Sequence, residues 1–156
     1  MGMMFFEVVG FLSGVAGIGA ALWLLHRRDS THVMQFVENM ASAYAAADVV
    51  VCRAGATTIA ELAIIRKPAI LVPFPQAAND HQTSNALALQ NEGAAILLRD
   101  AEVKERLFAS VQGLLSNTVA QEAMMRSLEV FAKPNAARDI AQVILEQVYQ
   151  RGRQAS

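Results

Sequence analysis

Residues 48–85 read DVVVCRAGATTIAELAIIRKPAILVPFPQAANDHQTSN, and the order of patterns within them decides the fold. Val49 to Cys52 is a short apolar run, and Arg53-Ala54-Gly55 turns the chain. From Thr57 to Ile65 the apolar spacing is helical, and Ala69 to Phe74 is a second apolar run. A polar loop, Gln76 to Asn85, then leads into another helix. Strand, turn, helix, strand is the grammar of a parallel α/β unit. In such sheets ligands bind outside the carboxyl ends of the strands, where Gly55 and the 76–85 loop should both emerge.

The rest of the chain sets bounds on that unit. At 156 residues it is long enough for one domain and too short for two ordinary ones. Hydrophobic residues make up 54%, charged residues 17%, and the mean hydropathy is +0.30, which is apolar for a soluble protein. A net charge of −1 offers no basic surface for nucleic acid. The single cysteine, Cys52, falls in a predicted buried strand, so neither a disulfide framework nor a cysteine metal site is expected. A reducing compartment fits that usage.

Much of the apolar excess sits near the start. From Val8 to Leu25 there are 18 consecutive residues without a charge, which just reaches the length of a membrane-spanning helix. Trp23 lies near one end, and His26-Arg27-Arg28 would hold the downstream part on the cytoplasmic side. Gly10 and Gly14 form a GxxxG pair, a weak helix-packing signal. Residues 1–30 are therefore set apart as an apolar N-terminal segment, read as a transmembrane or interfacial helix, ahead of a domain over 31–156. Two other readings stand beside this one. Phe5 to Val9 forms a strand, with Gly10 to Gly19 a glycine-rich turn and Ala20 to Leu25 a helix; or the segment is foreign to the fold.

Downstream, His32 to Val37 reads as a strand ending in the loop Glu38-Asn39, and alanine-rich Met40 to Ala47 as a short helix. Gly93 suits a left-handed C-terminal cap for the helix after Asn85, and Ala94 to Leu98 is another buried strand. Ala101 to Ser116 and Val119 to Phe131 have helical periodicity. Lys133-Pro134 breaks it, and Ala136 to Tyr149 forms a last amphipathic helix with Ile140, Val143, Ile144 and Val148 on one face.

Three features could carry chemistry. At Gly55-Ala56-Thr57-Thr58 a small residue lets a ligand approach the backbone, and the free N–H groups of the next helix attract phosphate. The plainer reading makes Thr57 and Thr58 helix caps. Glu61, one turn into that helix, could reach ribose hydroxyls, or could be a solvated glutamate favoured by the helix dipole. Asn79 to Asn85 places seven polar residues in a row, with donors and acceptors suited to a sugar. The plainer reading is a polar helix entry capped by Asp80 or Thr83. His81 has no evident partner nucleophile, so no catalytic residue is assigned. His26, His32 and His81 lack ligand-like spacing, and neither a metal nor a cofactor is expected.

Taken as an ordered set, four segments resemble the donor-binding half of the MurG family. They are Phe36 to Met40, Ala47 to Glu61, Pro68 to Pro75, and Asp80 to Ala86. The likeness covers about residues 32–150, and it implies a GT-B C-terminal domain, a Rossmann-like parallel sheet flanked by helices. It implies transfer of N-acetylglucosamine from UDP-N-acetylglucosamine to lipid I in peptidoglycan synthesis, at the cytoplasmic face of the bacterial inner membrane. By the same resemblance the backbone of Val37 faces the uracil and Glu61 holds the ribose hydroxyls. Gly55, Ala56, Thr57 and Thr58 line the diphosphate and sugar. His81, Gln82 and Asn85 contact the N-acetylglucosamine or orient its loop. Arg53 supports the turn.

The departures are large. The family's N-terminal acceptor domain has no counterpart here, and the donor domain's own first strand and glycine-rich phosphate loop are missing or replaced by residues 1–30. Arg66 stands where the family has a small residue or glycine before Lys-Pro; a non-glycine there costs about 1 kcal/mol if the turn needs positive φ. Half a cleft should not turn over unaided. The expectation is a donor-binding part of a transferase, membrane-associated, that needs a separate acceptor-binding domain or subunit. The alternatives are a non-catalytic UDP-sugar-binding subunit and an inactive truncation.

Overall fold

The computed structural model describes residues 8–11, 37–77 and 80–154. Four strands form one sheet: β1 (Val8–Phe11), β2 (Val49–Cys52), β3 (Ala69–Leu71) and β4 (Ile96–Leu97). They lie in the order β1-β2-β3-β4, and every neighbouring pair is parallel. The helices are α1 (Met40–Ala46), α2 (Ala56–Ile65), α3 (His81–Asn91), α4 (Val103–Leu115), α5 (Thr118–Leu128) and α6 (Ala136–Gln154). This is the α/β architecture that residues 48–85 imply.

Successive strand residues face opposite sides of a sheet. Val50 and Cys52 of β2, paired with Ala69 and Leu71 of β3, pack with Tyr44, Leu62, Ala86 and Leu89 on one side. Val49, Val51, Ile70 and Val72 pack with Leu98, Val103, Leu107, Val111 and Leu114 on the other. Both faces of β2 and β3 are thus dry, the condition of an open parallel sheet. The α2 helix contributes through Leu62 and Ala63, both fully buried.

Proline shortens the second strand. The apolar run reaches Phe74, yet β3 stops at Leu71, because Pro73 and Pro75 have no N–H to continue the ladder. Val72 N–H still donates to Cys52 O (2.8 Å) and Leu98 N–H to Leu71 O (2.9 Å). Lys67, just before β3, donates from Nζ to Ala47 O (2.8 Å) and Ala45 O (3.3 Å). It satisfies the last carbonyls of α1, where a cation also meets the negative end of the helix dipole. The C-terminal end of α1 is thereby fixed at the amino edge of the sheet. Its opposite end, capped by Asn39 Oδ1 accepting from Ser42 N–H (2.9 Å), points toward the carboxyl edge.

The N-terminal expectation needs correction. The apolar stretch from Val8 does not begin a helix: Val8 to Phe11 form a strand, with Val8 opposite Val49 and Phe11 opposite Cys52. Valine and phenylalanine favour strands, and hydropathy alone does not separate a membrane helix from a buried strand. The strand lies near the one proposed over Phe5 to Val9. Residues 12–36, including the rest of the apolar run and most of the strand expected over His32 to Val37, lie outside the described residues. Among the described helices none is long and apolar enough to cross a membrane. At the other end, Ile140, Val143, Ile144 and Val148 form the expected stripe on α6, each more than half exposed.

Two turns test the glycine arguments. Gly93 follows α3 at φ +66°, a left-handed cap that glycine adopts without strain. Arg66 ends α2 at φ 53°, the same region, but carries a side chain. Its partner Glu129 is exposed, as Arg66 itself is, so the ion pair contributes at most about 1 kcal/mol. Burial of Leu62 one turn earlier, about 1.5–3 kcal/mol, holds the helix in place despite the strain. Arg66→Gly should therefore stabilise the fold by about 0.5–1 kcal/mol, a rise of about 2–4 °C in Tm. Thermal unfolding followed by circular dichroism checks this; an unchanged or lower Tm would mean that the ion pair outweighs the strain.

Candidate functional site

All four strands run the same way, so their carboxyl ends form one edge. The helices that follow β2 and β3 begin over that edge. The chain leaves β2 through Arg53-Ala54-Gly55 and enters α2 at Ala56; it leaves β3 at Leu71 and enters α3 at His81. A direct contact joins the first of these loops to α3, which begins at His81 and so makes most of the expected polar loop its first turns: Asn85 Nδ2 donates to Ala54 O at 3.2 Å. Gln82 Oε1 accepts from Phe74 N–H at 2.9 Å and pins the segment that leaves β3. The turn at 53–58 and the polar stretch at 80–85 are therefore one structure.

Arg53 makes that structure stiff. Its Nη1 donates to Val72 O (3.1 Å), Pro73 O (2.9 Å) and the carboxylate of Asp100 (2.8 Å). The guanidinium also lies 5.4 Å from the ring centroid of Phe74. One nitrogen thus ties the ends of β2 and β3 to the turn after β4. Among the described residues its buried Nε has no hydrogen-bond partner. The family resemblance implies turn support for Arg53, but nothing in the spacing points to Asp100, because the pair is 47 residues apart.

Gly55 caps α2 at φ −70°, an ordinary conformation, and makes no side-chain cap bond. Thr57 and Thr58 lie inside the helix, so they are not its caps. The first N–H groups of a helix have no intrahelical acceptor, and among the described residues no side-chain cap bond meets them here. A Cβ added to Gly55 would meet only Thr58 Oγ1, at 3.8 Å, an ordinary contact. Among the described residues, then, packing does not require glycine at this position. Ala56 and Thr57 are exposed, and Thr58 is half-buried. Asp80 precedes α3 in the left-handed region (φ 52°) and, like Gly55, makes no side-chain cap bond. His81 is exposed at the first position of α3, while Gln82 and Asn85 are half-buried.

Glu61 is exposed on α2, and Tyr44 Oη donates to its Oε2 at 3.0 Å. Tyr44 is 6% exposed, with its ring in the core beside Val50 and Leu62. Burial first, then the hydrogen bond and the charge of Glu61, hold its phenol above the ordinary value. Cys52, below the same carboxylate, is pushed up to about 12 by burial, with the charge of Glu61 adding. Side chains lean toward the N-terminus of their helix, so Tyr44 and Glu61 lean toward the carboxyl edge. Val37 stands half-buried just ahead of the Asn39 cap, on that same side. Tyr44 escaped the sequence reading. The available signal was a lone phenol in an otherwise small-residue helix, MASAYAA.

A shallow cavity of about 270 Å³ lies elsewhere, at the far end of α2, lined by Ala63, Ile64, Arg66, Glu129, Ala132 and Pro134. It shares no residue with the carboxyl edge. The ties at that edge make a prediction. Asp100→Ala leaves Arg53, 15% exposed, with its two carbonyls but no counter-charge. It should cost about 1–2 kcal/mol in urea unfolding. A loss below about 0.5 kcal/mol would class the pair with ordinary surface ion pairs.

Comparison with known proteins agrees with this geometry. The family described as "Glycosyltransferase family 28 C-terminal domain" matches residues 23–144. The UDP-N-acetylglucosamine--N-acetylmuramyl-(pentapeptide) pyrophosphoryl-undecaprenol N-acetylglucosamine transferase of Anaeromyxobacter sp. (strain Fw109-5) is 46% identical over 120 residues, 76% of this chain and 32% of that protein. The transferase of the same name from Myxococcus xanthus is 44% identical over 119 residues, 76% of this chain and 31% of that one. The crystal structure of Acinetobacter baumannii MurG superposes with a TM-score of 0.69 at 32% identity, over 89% of this chain and 43% of that one. The chain spans about a third of the length of the curated relatives it matches. With a parallel α/β sheet, a helix-start turn and a polar loop joined at one edge, and this match over most of its length, the chain belongs to the glycosyltransferase family 28 C-terminal domain family.

Proposed function

We propose that the carboxyl edge binds UDP-N-acetylglucosamine, and that the chain acts as the donor-binding half of an N-acetylglucosamine transferase of peptidoglycan synthesis. The observation that carries this reading is the Asn85–Ala54 bond, which joins the start of α2 to the polar stretch opening α3. A diphosphate needs positive partial charge without bulk, and the uncapped end of α2 behind Gly55 offers both. The N–H groups of Ala56, Thr57 and Thr58, with the two threonine hydroxyls, are its donors. Glu61 accepts from the ribose hydroxyls, and the Val37 backbone meets the uracil. His81, Gln82 and Asn85 surround the sugar. Gln82 Oε1 and Asn85 Nδ2 are already committed to the backbone, so these two chiefly hold the loop, leaving their other amide atoms for the ligand.

Binding of the donor is half of a transfer. The relatives' names include a pyrophosphoryl-undecaprenol acceptor, and we assign its binding to a separate domain or subunit. The complete assembly would work where that lipid lies, at the cytoplasmic face of the bacterial inner membrane.

Calorimetric titration tests the donor site directly. UDP-N-acetylglucosamine should bind more tightly than UDP-glucose, and Glu61→Ala should weaken UDP by about 10- to 100-fold, the loss of hydrogen bonds to a charged acceptor. Equal affinity of the wild-type and Glu61→Ala proteins would overturn the assignment. Gly55→Ala gives a second arm. Its Cβ fits the fold, so Tm should hold within about 1 °C while UDP affinity falls about 10-fold through blocked approach to the helix end. Undiminished affinity in that variant would remove the diphosphate from the start of α2.

A further inference from the structure

We propose that Tyr44 is a positioning residue that sets the Glu61 carboxylate for recognition of a ribose diol. The inference rests on the reading of the carboxyl edge as a uridine nucleotide site and deepens it.

The geometry has three parts. Tyr44 Oη donates to Glu61 Oε2 at 3.0 Å across the gap between α1 and α2, two helices that no short-range spacing relates. The two partners differ sharply in freedom. Tyr44 is 6% exposed and belongs to the core cluster that includes Val50, Cys52 and Leu62, whereas Glu61 is exposed. An exposed glutamate samples several rotamers, and a ligand that needs one of them must select it. A phenol that cannot move takes that freedom away before the ligand arrives. Last, the bond occupies one acceptor position on Oε2. A carboxylate has about four, so Oε1 and the rest of Oε2 remain for the two hydroxyls of a vicinal diol.

The alternative role for the hydroxyl is weak. Had Tyr44 only core-filling to do, phenylalanine would serve, since the surrounding cluster is otherwise aliphatic or small. A buried hydroxyl is retained where it has a partner, and its partner is the Glu61 side chain. Burial and the neighbouring carboxylate keep the phenol protonated, so it remains a donor across the neutral range. The cap on Asn39 and the Lys67 bonds to the opposite end of α1 hold the helix that carries it.

The test is selectivity, which a purely structural residue would leave alone. UDP and 2′,3′-dideoxyuridine diphosphate are titrated calorimetrically against wild type, Tyr44→Phe, Glu61→Ala and the double variant. Tyr44→Phe keeps the ring and its packing, and unfolding by urea verifies that the fold is retained. Expected is a loss of about 3- to 10-fold in UDP affinity, with the dideoxy nucleotide changed by less than about 2-fold. In the Glu61→Ala background the tyrosine change should have no further effect on UDP. An equal fall for both nucleotides in Tyr44→Phe would make Tyr44 a core residue only and overturn the inference. So would unchanged UDP affinity in Tyr44→Phe where Glu61→Ala has lost its preference for the diol; that result leaves the nucleotide site standing. If Glu61→Ala keeps the full preference for UDP over the dideoxy form, the site reading falls and the inference falls with it.

Discussion

Everything at the candidate site depends on β2 being dry on both faces. A strand of four consecutive buried residues cannot lie on the outside of a sheet, so helices must cover it from both sides. Parallel neighbours are the arrangement that achieves this, and parallel strands bring all their carboxyl ends to one edge. The chain then has no freedom over where its loops gather. Apolar burial at Val49 to Cys52 thereby places the polar residues of two distant loops side by side.

What burial brings together, a few hydrogen bonds make rigid. Arg53 draws the ends of β2 and β3 onto the turn that follows β4, and Asn85 and Gln82 fasten α3 to the loops beside it. These bonds run from side chain to backbone carbonyl or amide, apart from the one to Asp100. That choice matters: a loop whose backbone is held by half-buried side chains has little room to drift, so its remaining amides keep their aim. The helix starts differ in how they are closed. Asn39 and Asn117 cap α1 and α5 with their side chains, whereas the residues preceding α2, α3 and α4 make no side-chain cap bond.

Much of this was legible in the sequence, because period and composition carry it: the strands over Val49 to Cys52 and Ala69 onward, the helix to Ile65, and the left-handed cap at Gly93. Three things were not. Strand and membrane helix share hydropathy, so Val8 to Phe11 could not be assigned without the backbone partner that β2 supplies. Thr57 and Thr58 look like caps in the sequence, but the helix begins at Ala56 and leaves them inside it. The pairs Tyr44–Glu61 and Arg53–Asp100 join residues 17 and 47 positions apart, and no local pattern encodes a contact that only the sheet order creates. The resemblance of four ordered segments to one family named the candidate residues and a supporting role for Arg53; it was silent on Tyr44 and Asp100.

Cys52, the chain's lone sulfur-bearing thiol, sits at the last position of β2 with almost no solvent contact. Alkylating reagents need the ionised form and a path to it, and the closed sheet denies both. Labelling of this atom therefore waits for the central strand to part from its cover. The protein thus carries a built-in clock for that opening, its rate read from the mass of the alkylated chain with no residue introduced to report it.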